Sequence, residues 1–160
     1  MSTKILSSIK KVFKLDSFQI ENYKLIAIHS NLSIFSLVYQ LNKHCFTEFV
    51  RSNNDLKVDH KFMIPHFNWN NEKKGISFEL FENKFMIENE DSKVMDSLFS
   101  LSISKELSLI KSHKEVDFFI KQNCFFSTSN LIEKMSKIQN ISLIYKVPNS
   151  ELSENINFDL

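Results

Sequence analysis

Along residues 23–30, YKLIAIHS, apolar side chains fall on both faces of an extended chain: Leu25 and Ala27 on one, Ile26 and Ile28 on the other. A strand with no polar face is one covered on both sides, so the pattern predicts a central strand. Asn31 then stands where an N-cap belongs. The following LSIFSLVYQLNK predicts a helix with Leu32, Phe35, Val38 and Tyr39 as its inward stripe, widened by Ile34, Leu37 and Leu41. Residues 46–51 and 61–67 read as short strands separated by the polar SNNDLKVD. NWNNEKKG reads as a loop in which Gly75 takes a positive φ. GISFELFE alternates after it, with Ile76, Phe78 and Leu80 on one face and Ser77 and Glu79 on the other.

The second half repeats the two periods. ENEDS is an acidic loop, residues 98–110 alternate again, and VDFFIKQN predicts a further strand. Ser129 or Asn130 caps a predicted helix over 130–140, with Leu131, Met135 and Ile138 inward and Glu133 available for a capping box. SLIYKV predicts the last strand, ended by Pro148. Strand, helix, a meander of strands, helix, strand is the order of an α+β two-layer sandwich, a mainly antiparallel sheet with two helices on one face. Residues 14–160 are expected to form this single domain, and residues 1–13 a basic amphipathic extension.

Composition narrows the chemistry. The single glycine, Gly75, cannot build a phosphate-cradling loop, which removes the mononucleotide and dinucleotide fingerprints. A formal net charge of +1 argues against a surface basic all over. No stretch of ~18 uncharged apolar residues predicts a membrane span. Cys45 and Cys124 are too few for a disulfide scaffold, and a reducing, cytoplasmic setting is expected. The five histidines show neither a helical HExxH pair nor a CxxC ribbon, so no metal or cofactor is expected. Cys124 reads as a small buried residue.

Two readings compete at each remaining candidate. Asp117 shares a strand face with Phe119 and Lys121, which predicts a polar or ion-pair contact with a neighbouring strand on the sheet's outer face. A catalytic role would need a second acid, a metal or a nucleophile beside it, and spacing assigns none; His29, at the strand-to-helix junction that ends the first strand, is the residue an enzyme reading would join to it. Phe67 and Trp69 stand two apart beside Lys73 and Lys74, which suits either base stacking or a pair at the core edge. Lys10, Lys11 and Lys14 could add phosphate contacts from the N-terminal stretch.

Three stretches taken together resemble a small bacterial family, the IPExxxVDY proteins: residues 14–43, residues 64–84, and IKSHKEVDFFIK over 110–121. The likeness runs from about Lys14 to Phe158. Ile110, Val116, Asp117, Phe119 and Lys121 match, while the motif's proline, glutamate and tyrosine are Lys111, Ser112 and Phe118 here. The resemblance implies a cytoplasmic single domain and no particular reaction, and a chain lacking that glutamate and tyrosine could not use them for proton chemistry. The leading expectation is thus a non-enzymatic protein-interaction or regulatory module with an unknown protein partner. An RNA-associated accessory domain comes second, and an enzyme centred on Asp117 and His29 third.

Overall fold

The computed structural model describes residues 23–58, 62–88, 104–123 and 127–151. Six strands form one fully antiparallel sheet. They are β1 (Lys24–Ser30), β2 (Val50–Arg51), β5 (His66–Asn71), β6 (Ile76–Glu82), β9 (Phe118–Gln122) and β10 (Ile141–Lys146), in the order β10-β1-β9-β6-β5-β2. Two ribbons stand apart from it: β3 (Leu56–Val58) with β4 (Phe62–Ile64), and β7 (Lys84–Glu88) with β8 (Ser104–Ser108). The helices are α1 (Ile34–Cys45) and α2 (Ser129–Met135). The fold is α+β, as the element order predicts. Among the described residues no helix is long and apolar enough to cross a membrane.

β1 is the central strand its two apolar faces demand. Leu25, Ile26, Ala27 and Ile28 are all shut off from solvent. Ile26 and Ile28 join Phe78, Leu80, Phe118 and Ile120 on the face that both helices cover, from Leu37, Val38 and Leu41 of α1 and from Leu131 and Met135 of α2. Each such aliphatic or aromatic burial stabilises by about 1.5–3 kcal/mol, so this layer dominates the driving force for folding.

Local chemistry sets the helix ends, not always at the residue expected. Ser33, not Asn31, is the N-cap of α1, and its Oγ accepts from the backbone N–H of Ser36 at 3.3 Å. Glu82 of β6 supports the same terminus: burial raises its carboxyl pKa, and the Ile34 N–H pulls it back. The inward stripe of α1 also differs from the expected one. Ile34, Leu37, Val38, Leu41 and Cys45 are buried, whereas Phe35 and Tyr39 face solvent. α2 begins after Thr128 with no side-chain cap, so neither Ser129 nor Asn130 caps it, and it stops at Met135. Gly75 has φ +62° as predicted, at the end of the short turn Glu72–Lys74, but the rest of the predicted loop, residues 68–71, belongs to β5.

The other sheet face is the main departure from a solvent-facing outer layer. Leu25, Ala27, Phe81 and Phe119 form a second core there with Leu56, Ile64, Ile110, Val116 and Val147. β3 lies within SNNDLKVD, read as a polar separator, and its pairing with β4 supplies part of this cover. Residues 1–22, the predicted basic extension among them, and Cys124 lie outside the described residues.

Candidate functional site

The segment IKSHKEVD is built around a buried asparagine. Asn83, at the β6–β7 turn, is completely inaccessible to solvent. Its Nδ2 donates to the carbonyls of His113 (2.8 Å) and Val116 (2.9 Å), and its Oδ1 accepts from Ile110 N–H at 2.8 Å. Its backbone N–H donates to the Asp117 carbonyl and its own carbonyl accepts from Leu109 N–H. Every polar group of the residue is thereby spent on holding the loop against the sheet. β9 begins only at Phe118, so Val116 belongs to this loop and packs in the second core, not alongside Phe118 and Ile120 as strict alternation predicts.

Asp117 continues a ladder. β1 and β9 pair as far as Ile28 and Phe118, and the β1–β10 register shifts between His29 and Ser30. There the Asp117 carboxylate accepts from Ser30 N–H at 2.9 Å and from Lys84 Nζ at 2.7 Å. That hydrogen bond holds the Lys84 ammonium above its ordinary pKa. The ion partner comes from the covering ribbon rather than from an adjacent strand. His29 stacks on Tyr145 with ring centroids 5.9 Å apart. Both carboxylate oxygens of Asp117 and the His29 ring are engaged in structural contacts.

Lys121 lies in a more polar row of the same face. Strand register aligns Asn68, Glu79, Lys121 and Leu25, and Lys121 Nζ stands 3.7 Å from Glu79 Oε2 and over the Tyr23 ring. Beside this row, residues 51–57 with Met63, His66 and Glu79 line an open cleft of about 730 Å³. His66 Nε2 and Glu79 Oε2 are buried there without a hydrogen-bond partner. Burial holds the His66 imidazole below its usual pKa, opposed chiefly by the Glu79 carboxylate. Among the described residues no group of three or more His, Cys, Asp or Glu side chains could hold a metal ion.

The predicted stacking pair is used differently. Phe67 and Trp69 are buried in the helix-side core, Trp69 stacked on Phe78 and edge-on to Phe49, Phe67 edge-on to Phe35. Neither ring has a free face to offer a base, which corrects that expectation. Lys73 and Lys74 are exposed on the turn between β5 and β6. Lys10, Lys11 and Lys14 lie outside the described residues.

Aromatic rings do reach solvent, on the outer side of α1. Phe35, Tyr39 and Phe46 are 56, 60 and 76% exposed. Phe35 and Tyr39, four residues apart, share one side of the helix, and Phe46 follows at its left-handed C-terminal cap. Each ring carries a cation: Arg51 over Phe35 at 5.6 Å, Lys43 over Tyr39 at 5.6 Å, Lys134 over Phe46 at 5.2 Å. Between the helices a cleft of about 540 Å³ is lined by Lys43, His44, Lys134 and Lys137, with Gln40 and Asn140 among the amides. Phe46 holds φ +57°, a left-handed conformation that costs a side chain of its size and that glycine adopts freely. Asn42 stabilises that turn, accepting from Thr47 Oγ1 and Phe49 N–H and donating to the Phe49 carbonyl. Cys45, one residue earlier, points the other way into the core, and burial raises its thiol to about 11.

Sequence reasoning missed this stripe. The available signal was excess: α1 carries more large apolar residues than one inward stripe can hold, and Phe35 and Tyr39 are the surplus. No family model, no curated protein and no solved structure matches the chain.

Proposed function

We propose that the protein is a non-catalytic interaction module whose working surface is the outer side of α1 together with the basic cleft between α1 and α2. One observation carries the reading: three aromatic rings stand in solvent on α1 and its C-terminal cap, each beneath a cation, and two of those cations, Lys43 and Lys134, also line the cleft between the helices. Exposed aromatics with neighbouring cations are the composition of binding hot spots. The left-handed Phe46 adds to it: the turn that ends α1 takes a positive φ, and a large exposed ring stands there in place of the glycine that would adopt it without strain.

The likeness to the IPExxxVDY proteins fits the same reading, with IKSHKEVD serving as a folding element around Asn83 and the partner meeting the opposite layer. A reducing, cytoplasmic setting belongs to the proposal and is supported by the buried free thiol of Cys45.

The test uses tagged full-length protein in its native cell. Wild type should retain a reproducible partner that a Phe35→Ser, Tyr39→Ser, Phe46→Ser variant loses, with both showing the same far-ultraviolet circular dichroism. Identical captures from the two proteins would overturn the assignment of this surface.

A further inference from the structure

The chemistry of the helical surface specifies its partner more narrowly. We infer that the stripe and cleft bind single-stranded nucleic acid, with bases stacking on Tyr39 and Phe46 and phosphates seated against Lys43, Lys134 and Lys137. The inference rests on the interaction-module reading and names its partner.

Three observations favour this occupant. First, the positive charge is local. The whole chain carries only +1, yet Lys43, His44, Lys134 and Lys137 converge on one cleft of about 540 Å³. Glu133, the carboxylate paired with Lys137 at 2.8 Å, sits on a fully exposed pair that an incoming phosphate can displace. A polyanion therefore meets a focused field.

Second, rings and cations alternate. Lys43 lies over Tyr39 and Lys134 over Phe46, so two of the lysines that line the cleft are each held beside an exposed ring. An acidic peptide would engage the ammonium groups and leave two large exposed rings with little to do. A single strand engages both, because each nucleotide brings one phosphate and one flat π-face. Third, a duplex hides its base faces in the stack, so exposed aromatic side chains select unpaired strands.

The experiment is fluorescence anisotropy with full-length protein at low salt. The probes are labelled oligouridine and oligoadenosine of about 12 nucleotides, the matching single-stranded DNA, an RNA duplex of equal length and a polyglutamate peptide. Single strands should bind, RNA and DNA being separated only by any contact to the 2′-hydroxyl. Duplex should bind more weakly by at least about 5-fold, since its π-faces are unavailable. The logarithm of affinity should fall with the logarithm of salt with a slope of roughly −2, the value for three phosphates on a single strand.

Phe46→Asn removes the ring while keeping a residue that tolerates a positive φ, and Tyr39→Gln removes the other on an exposed helix position. Each should weaken single-strand binding by at least about 5-fold, with melting temperature unchanged or raised. Lys134→Glu should reduce both the affinity and the salt slope. Absence of binding at low salt would overturn the proposal. So would duplex binding as tight as single strand with no effect of ring removal, which would reveal plain charge attraction. Preference for polyglutamate would also overturn it, while leaving the interaction module standing with an acidic protein segment as its partner. Loss of the captured partner on substituting the stripe, with no nucleic acid bound in any arm, separates failure of this inference from failure of the module.

Discussion

Asn83 shows how much of a loop one amide can hold. Its side chain closes three hydrogen bonds to residues 110–116 with no water in reach. Asn83→Ala is expected to cost about 3 kcal/mol, since each buried bond is worth about 1 kcal/mol net and the orphaned carbonyls and N–H find no replacement. Urea denaturation will read this, and Asn83→Asp should do no better because it sets an acceptor against two carbonyls. At Asp117, the isosteric Asp117→Asn retains the acceptor for Ser30 N–H and loses the charge opposite Lys84, for a cost of about 1 kcal/mol. A gain in stability from that change would mark a carboxylate strained for use, contrary to the structural role. His66 supplies the acid response. Its folded pKa lies below 6.5, so between about pH 7 and pH 5 the unfolded chain takes up the proton that the folded chain resists, and stability falls as pH falls. In His66→Gln that decline should be shallower, and equal slopes in paired denaturation series would exclude a buried neutral imidazole.

Elements differ in how plainly the sequence declares them. β1 is legible because four consecutive apolar residues leave it no polar face, and β6 because Ile76, Phe78 and Leu80 alternate with Ser77 and Glu79. α1 is legible as a helix but not in its orientation. Ile34, Leu37, Val38 and Leu41 compete with Phe35 and Tyr39 for the inward side, and only the shape of the sheet beneath decides between them. Its start is also ambiguous in sequence, Asn31 and Ser33 both being good caps. The geometry selects Ser33, so Ser33→Ala should lower the melting temperature at a cost of about 1 kcal/mol, while Asn31→Ala should leave it nearly unchanged. β4 falls within the strand read over residues 61–67, whereas β3 is three residues in a polar stretch, too short for alternation to stand out from a loop, and it forms because Leu56 finds the second core. The stripe on α1 escaped notice for the same reason that its orientation did.

The molecule as a whole has one sheet with two covered faces, and this explains why alternation in β9 misleads. Asp117 and Lys121 suggest a wet outer face, yet Phe119 between them meets Phe81, and the ribbons close over the pair. Polar residues survive there by specific satisfaction: Asp117 on Ser30 and Lys84, Lys121 against Glu79 and Tyr23. That layer stays open at the cleft beside His66 and Glu79, while the exposed rings Tyr39 and Phe46 and the lysines of the smaller cleft stand on the helical layer.

The position of β1 between β9 and β10 has a consequence for how the chain is made. At about 5–20 residues per second, a ribosome needs roughly 10 s to travel from β1 to the end of β10. Until β9 is made the most apolar strand of the nascent protein has neither of its eventual neighbours, and until β10 is made it lacks one, so it is a target for chaperone capture. A product stopped just before Ile141 should consequently bind a hydrophobic dye and precipitate, whereas the intact chain does not.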